Sequence, residues 1–502
     1  MPEASANPSL RQHAKTLLRA TAAYGINSVV GPILTLILTP IYARILTPAD
    51  YGILEVVLTF SSFLAILAAL GLRTATPVLF QRQSDDLHQR RLIASALWLC
   101  LAASLLLTWA SAIGADQIAA VWLRNPTYAN LVILAVANLP APVLSTLLID
   151  ALRLRQEIWR ASLLSLLQIV FLAIANITFV IVLRWGAVGV LSAQLSAQLT
   201  LLFIGCLIAP HLLFVPPNRQ VLLPLLRAGL PLIPAGIASV ALGVANRPIL
   251  LQFGISAEQI GMFGIGNKLA SMLAFLSVPF QAAWLPFALS IRNKPEAPRT
   301  YARVLSYYLA VMMTATLGLS LFAREALIVV GGYRYLPAQD YVWLLAYTAL
   351  IQGSYVILST GLYLSEKTVH LAWTSLVGAL VSVLLMLALT PHLGILGAAI
   401  ATPIGYLFGP LGAYLSAQRH YPIPYALRDL ILIVVIELAL LWIGLPLAVE
   451  TNLISLGLRA LLWLSYPALL LICKVITWQE VQLALKVLAR LKTRLRTFGR
   501  AD

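Results

Sequence analysis

Apolar stretches of membrane-spanning length follow one another almost without interruption along this 502-residue chain. A helix that crosses about 30 Å of hydrocarbon needs about 20 predominantly apolar residues. Fourteen stretches meet that requirement, at roughly 20–43, 49–72, 91–113, 129–151, 161–183, 186–210, 224–252, 257–281, 304–323, 338–364, 370–391, 394–417, 428–448 and 453–475. The linkers between them are short, which excludes an inserted soluble catalytic domain. Composition agrees: 60% of residues are hydrophobic and 10% charged, against about 45–50% and about 25% in soluble domains. The expected fold class is an all-α polytopic membrane protein with about 14 transmembrane helices.

The net charge of +16 is mostly topology. With the N-terminus in the cytoplasm, 26 of the 34 Lys and Arg residues fall at cytoplasmic span ends or in the tail. Six (Arg44, Arg124, Arg184, Arg324, Arg334 and Arg459) fall on the opposite side. Basic residues mark the cytoplasmic side of a membrane protein. The expected location is therefore the cell inner (plasma) membrane, multi-pass, with both termini cytoplasmic. The tail, WQEVQLALKVLARLKTRLRTFGR (478–500), carries an apolar stripe interspersed with Lys and Arg. It has the character of a helix on anionic lipid. No nucleic-acid partner is expected, because topology accounts for the basic excess.

No catalytic constellation is present. The three cysteines lie far apart within or beside apolar stretches, and none of the six histidines has a metal-ligand spacing. No phosphate-binding loop is present, so ATP does not drive this chain directly.

The sequence repeats itself. LTPADYGILEVVLTFSSFLA (46–65) aligns with ISAEQIGMFGIGNKLASMLA (255–274) at an offset of 209, placing Gly52 on Gly261. WGAVGV (185–190) aligns with LGILGA (393–398) at 208, placing Gly186 and Gly189 on Gly394 and Gly397. Six spans separate the copies, so they point the same way. Spans 1–6 and 7–12 are expected to form two parallel six-helix lobes around a central cavity, with two C-terminal helices appended. The expected organisation is a cytoplasmic N-terminal segment (1–19), an N-lobe (20–215), a C-lobe (216–420), spans 13–14 (421–476) and a basic amphipathic cytoplasmic tail (477–502).

These residues carry a family resemblance. YARILTPADYGILEVVLTF (42–60) resembles the first hairpin of the polysaccharide-export (O-antigen-type) flippases of the multidrug/oligosaccharidyl-lipid/polysaccharide exporter superfamily. LLRAGLPLIPAGIASVALGVANRPILLQFGISAEQIGMFGIGNKLA (225–270) resembles that family's most regular stretch, keeping Gly229, Pro231, Arg247 and Gly261. Asn246 stands where the family usually has an acid, and Phe263 replaces a Tyr. The resemblance implies a flippase, not an enzyme. Its cargo would be an undecaprenyl-pyrophosphate-linked oligosaccharide, moved from the cytoplasmic to the outer leaflet by alternating access. The implied partners are that lipid-linked oligosaccharide, membrane lipids and other polysaccharide-assembly proteins. Competing readings are an ion-coupled multidrug exporter, a lipid-linked peptidoglycan precursor flippase and a polytopic polysaccharide polymerase or ligase.

Two basic residues, Arg247 and Lys268, fall inside spans. A charge at the bilayer centre costs about 2.5–3.5 kcal/mol at the least, so each needs a wet cavity or a partner. Lys268 lies about eleven residues into its span, roughly 16 Å deep at 1.5 Å per residue. A pyrophosphate or an acidic sugar would suit both cations. The expected substrate-binding residues are Lys268, Arg247, Asn267, Asn246, Tyr24 and Asn27. Glu55, at a similar depth in the first lobe, is either the counter-charge of Arg247 or a proton or sodium coupling site. No other cofactor and no metal are expected.

Overall fold

The structure, a computed structural model, describes residues 37–482 with the exception of 84, 214, 217, 218, 368, 450, 451 and 481. The 1–19 segment, most of the first span and the tail beyond residue 482 lie outside the described residues. All described elements are helical. Backbone groups in hydrocarbon have no water to bond, and a helix satisfies them within one segment.

In the N-lobe, the end of the first span (37–45) leads into α1 (Pro48–Ala69), α2 (Leu72–Gln81), α3 (Asp86–Ile113), α4 (Ala115–Trp122), α5 (Ala129–Ala137), α6 (Pro140–Leu154), α7 (Ile158–Asn176), α8 (Gly186–Ile208) and the short α9 (Pro210–Leu213). The C-lobe comprises α10 (Arg219–Gly229), α11 (Ile233–Val244), α12 (Asn246–Gln252), α13 (Ala257–Ser271), α14 (Ala274–Ser290), α15 (Ala297–Leu321), α16 (Ala323–Gly331), α17 (Gln339–Leu358), α18 (Thr360–Leu364), α19 (Val369–Leu393) and α20 (Ile395–His420). Two further helices, α21 (Leu427–Gly444) and α22 (Leu453–Ile472), pack on α15.

Among the described residues, 11 helices are long and apolar enough to cross a membrane, or 12 when the bent α13–α14 pair is one span. They coincide with the expected stretches from the second onward, apart from 428–448. There α21 fills the place but carries Arg428, Asp429 and Glu437 within its 18 residues. The expected total of 14 is thus not reached by these helices; the remaining two places are α21 and the first span. Large apolar side chains such as Leu106, Phe203 and Trp442 stand 63%, 65% and 78% exposed. A continuous apolar surface of this kind suits lipid and not water.

The repeat has a structural counterpart. Thr47 caps the N-terminus of α1, accepting from the Asp50 amide at 3.1 Å, and Ser256, 209 residues later, caps α13 from the Gln259 amide at 3.3 Å. Gly186 and Gly394 both adopt left-handed backbone, at φ +61° and +57°, which costs glycine least. The equivalent helices α1 and α13 lie against each other, and their equivalent glycines meet. A Cβ on Gly52 would stand 1.8 Å from the Ala257 carbonyl oxygen, and one on Gly261 1.9 Å from that of Pro48. Where repeat-related residues face each other across one seam, two side chains would compete for one space, and glycine at both positions removes the conflict.

A second close approach lies just beyond the far end of α1. A Cβ on Gly71 would stand 2.1 Å from the Gly229 carbonyl oxygen. Gly229 ends α10, the first segment of a broken span. This span passes through a 3₁₀ turn at Leu230–Leu232 and breaks again before α12. Pro231, Pro234 and Pro248 each lack an N–H, and proline is the commonest cause of such breaks. Because of the breaks, α10 packs on α2 and α3 of the N-lobe while α11 packs on α19 of the C-lobe.

After α22 the chain is fastened at Glu480. Arg303 on α15 forks this carboxylate with two N–H···O bonds of 2.9 and 2.7 Å and donates a third to Asp429 at 3.1 Å. Tyr307 and the Thr477 amide donate to it as well. Partial burial pushes the Glu480 carboxyl up, but these donors outweigh it and hold it at about 2.

Two expectations follow. Gly52→Ala and Gly261→Ala should each destabilise the protein by about 1–3 kcal/mol through overpacking, read as a lower unfolding temperature in detergent. Because the Glu480 pKa is depressed, its contribution is complete above about 4.5 and is lost as pH falls toward about 2. The protection of the Thr477 amide relative to its intrinsic exchange rate at each pH should therefore stay high at neutral pH and fall only in that acid window, whereas Glu480→Gln should lower it at pH 7.

Candidate functional site

The charges expected inside the membrane converge where α1, α12 and α13 meet. Arg247 is 2% exposed, and its Nε donates to Glu55 Oε2 at 3.0 Å. Its Nη1 donates to the Gly243 carbonyl and to Asn246 Oδ1, both at 2.9 Å. The Asn246 amide nitrogen reaches Thr402 Oγ1 at 3.4 Å. Proline chemistry prepares part of this collar. Pro248 has no N–H to offer the Val244 carbonyl four residues back, and Thr59 on α1 approaches that carbonyl at 3.5 Å instead. Gly264 makes room for the acid: a Cβ there would stand 3.0 Å from the Tyr51 ring and 3.2 Å from Glu55. The repeat equivalent of Glu55 is thus a glycine, and the site is asymmetric by necessity.

Glu55 comes from the N-lobe and Arg247 from the C-lobe, so the ion pair ties the lobes together. Asn246, in the place of an acid, accepts one Arg247 N–H and leaves the charge to be met from the other lobe. An adjacent acid would compete with Glu55 for the same guanidinium.

Lys268 lies one turn beyond Gly264 on α13, on the face turned toward α1. It is half-buried, and its charge acts on Glu55. Among the described residues its ammonium makes no hydrogen bond or ion pair, and neither does the half-buried Asn267 amide make a hydrogen bond. The expected span 257–281 is bent by 48° just after them, between α13 and α14. The hydrogen bonds there run from residue i to i−3, at Met272, Leu273, Phe275 and Leu276. Tyr24 and Asn27 lie outside the described residues. The structure therefore groups Arg247, Asn246, Glu55 and Lys268, engages the first three with one another and leaves Lys268 and Asn267 open.

Three of the arginines expected on the non-cytoplasmic side form a second set of contacts between lobes. Arg44 donates to the Val329 carbonyl in the last turn of α16 at 2.8 Å. Arg334 donates to the Leu46 carbonyl at the end of the first span at 3.4 Å, and Arg124 to Leu251 and Gln252 at the end of α12 at 3.3 Å. Each cation caps a helix C-terminus of the opposite lobe. At the surface such a contact contributes about 0.3–1 kcal/mol, small enough to break in a transport cycle.

Elsewhere, Asp150 bonds Arg73 at 2.8 Å and Arg153 at 3.3 Å, a local pair at a span end. Glu437 on α21 is fully buried. One of its oxygens accepts from the Tyr347 hydroxyl at 2.6 Å, and the other has no partner among the described residues. Beside it lies an apolar groove of about 510 Å³, lined by Leu309, Ile351, Leu407, Leu430 and Val434 among others. No group of three or more His, Cys, Asp and Glu able to hold a metal occurs among the described residues. Sequence reasoning missed Thr402, Tyr406 and Tyr51, polar residues of ordinary span composition that only the packing brings to the collar.

Residues 17–290 match the polysaccharide biosynthesis protein family. The chain belongs to this family. It is 23% identical over 354 residues to the succinoglycan biosynthesis transport protein ExoT of Rhizobium meliloti (strain 1021), covering 69% of this chain and 67% of that protein. In fold it is similar to the lipid II flippase MurJ in an inward closed conformation, with TM-score 0.70, 15% identity and coverage of 91% of this chain and 100% of MurJ. An inward-facing multidrug transporter of the MATE family gives TM-score 0.62 at 17% identity, over 80% of this chain and 97% of that one. The all-helical fold is thus shared by solved structures. The chain is a multi-span membrane protein of the polysaccharide biosynthesis protein family.

Removing one member of a buried ion pair typically costs about 3–5 kcal/mol, because the other charge is stranded. Arg247→Ala should therefore lower membrane abundance and unfolding temperature. The double variant Glu55→Leu/Arg247→Leu should recover much of both, measured by thermal unfolding of detergent-purified protein.

Proposed function

We propose that this chain is a flippase that carries an undecaprenyl-pyrophosphate-linked oligosaccharide from the cytoplasmic to the outer leaflet by alternating access, in the plasma membrane with both termini cytoplasmic. The observation that carries the reading is Lys268. A half-buried ammonium at membrane depth, beside the seam between lobes and without a hydrogen bond among the described residues, is costly unless an anion or water meets it. A pyrophosphate supplies the anion, and Asn267 beside it adds an amide for phosphate or sugar oxygens.

Two further features support it. The apolar groove between α15, α17, α20 and α21 offers a place for a polyprenyl chain, and its rim residues Leu407, Leu411 and Leu427 are exposed on the surface that lipid would cover. The arginine caps between the lobes are individually weak enough to separate. No step of this cycle makes or breaks a covalent bond in the cargo, so the chain's own residues act by binding and by moving. Glu55 is a coupling-ion candidate of this reading: released from Arg247 when the lobes part, it would take a proton or a sodium ion. A drug exporter of organic cations suits the site less well, because the open charge on Lys268 is positive.

In a strain whose surface polymer depends on this chain, Lys268→Ala should reduce exported polymer at least tenfold with protein abundance unchanged, while Lys268→Arg retains most of it (a factor of ten corresponds to about 1.4 kcal/mol). Undiminished polymer in Lys268→Ala would overturn the assignment.

A further inference from the structure

We propose that the C-lobe holds a subsite for one neutral sugar residue of the cargo, in a recess just below the Arg247 collar, a reading that rests on the flippase function above. The recess, about 180 Å³, lies between α11, α17, α19 and α20. At about 10–15 Å³ of accessible space per water it holds about a dozen waters or more, which is room for a sugar ring. Its walls are Tyr355 and Tyr406, with Gln352, Ser239 and Ser375 between them.

Three observations point to a sugar. The first is what the recess lacks: its lining contains no Lys, Arg, Asp or Glu, so it suits neither a phosphate nor a cation. The second is its open hydrogen-bonding groups. Among the described residues, the Gln352 amide and the Tyr406 hydroxyl have no partner within the protein. Ser239 and Ser375 donate to the Ala235 and Leu371 carbonyls and keep their own oxygens free to accept. A ring of hydroxyls meets such a mixed donor–acceptor set, while an apolar chain would strand it. The third is shape. Gly378, Gly405 and Gly409 line it beside the two aromatic rings. A Cβ on Gly409 would stand 3.5 Å from the Tyr355 ring, so a side chain there would enter the recess, while Gly378 and Gly405 let α19 and α20 pack closely behind it, with Cβ positions 2.6 Å from the Gly405 carbonyl and 2.3 Å from Ser382.

The recess is joined to the charged site. A Cβ on Gly243 would lie 3.7 Å from the Tyr406 hydroxyl, and the Gly243 carbonyl is the one that Arg247 holds. Thr402, one turn from Tyr406 on α20, is the partner of Asn246. A sugar seated on Tyr406 therefore presses on the residues that orient Arg247. Sugar occupancy and the lobe-tying ion pair share a wall.

The test uses full-length protein in lipid nanodiscs with Cys100→Ser, Cys206→Ser and Cys473→Ser. In that background Gln352→Cys reports on the recess, and Ser271→Cys, one turn from Lys268, reports on the charged site. The reagent is a hydrophilic maleimide. The probes are the lipid-linked oligosaccharide fraction extracted from polymer-producing cells, and the same fraction after mild acid has removed the glycan. The expected result is that the intact fraction slows labelling of the Gln352→Cys variant several-fold and the stripped fraction does not, while both slow labelling of the Ser271→Cys variant. Tyr406→Phe added to Gln352→Cys should abolish the glycan-specific slowing at unchanged unfolding temperature. Equal slowing of the recess variant by both fractions, or slowing of the charged-site variant alone, would overturn the sugar subsite and leave the flippase reading standing. No slowing of either variant by either fraction would overturn both.

Discussion

The structure depends on an ion pair that the bilayer makes obligatory. An unpaired charge in a low-dielectric interior is costly, and pairing with full hydrogen bonding is the main way to reduce that cost. Arg247 reaches this state with Glu55, Asn246 Oδ1 and the Gly243 carbonyl as acceptors. Every neighbour is placed for it. Gly264 leaves the space for the acid, and the break between α11 and α12 leaves carbonyls unmet by helical bonds. Because the two charges belong to different lobes, this buried ion pair is also a clasp between them.

The internal repeat explains why the clasp sits there. Equivalent helices meet along one seam, and Gly52 and Gly261 let their backbones touch. One turn further the symmetry fails, with Glu55 on one side and Gly264 on the other. A further turn on, Thr59 is the repeat equivalent of Lys268. A duplicated fold supplies two similar halves, and departures from the duplication supply the charges that a binding site needs. The pair neutralises its own members and leaves one cation, Lys268, for something else. The outer arginine caps act at the rim of the same seam, where exposed contacts are weak and reversible.

Much of this was legible in the sequence. Hydrophobic length located every described span from the second onward, because about 30 Å of hydrocarbon imposes one requirement on all of them. The offsets of 209 and 208 announced the duplication, and the structure repeats the caps and the left-handed glycines at those offsets. Arg247, Lys268 and Glu55 stood out because charge inside a span is rare. The bend after Lys268 and the two-fold break around Arg247 were less visible. Pro231 and Pro234 signalled a bend, but the number of breaks and the lobe to which each segment adheres depend on the neighbours.

Sequence by itself determined the fold class, the repeat and the short list of charged residues, since each follows from the cost of polar groups in lipid, a property local to one span. Only the tertiary structure decided how those residues divide the work. Pairing depends on which helices touch, so Arg247 proved to be bound to a carboxylate 192 positions away while Lys268 was left open. The polar recess beneath them belongs wholly to that second kind of information. Its tyrosines, serines and glutamine are unremarkable in four separate spans and become a site only where four helices bring them to one wall.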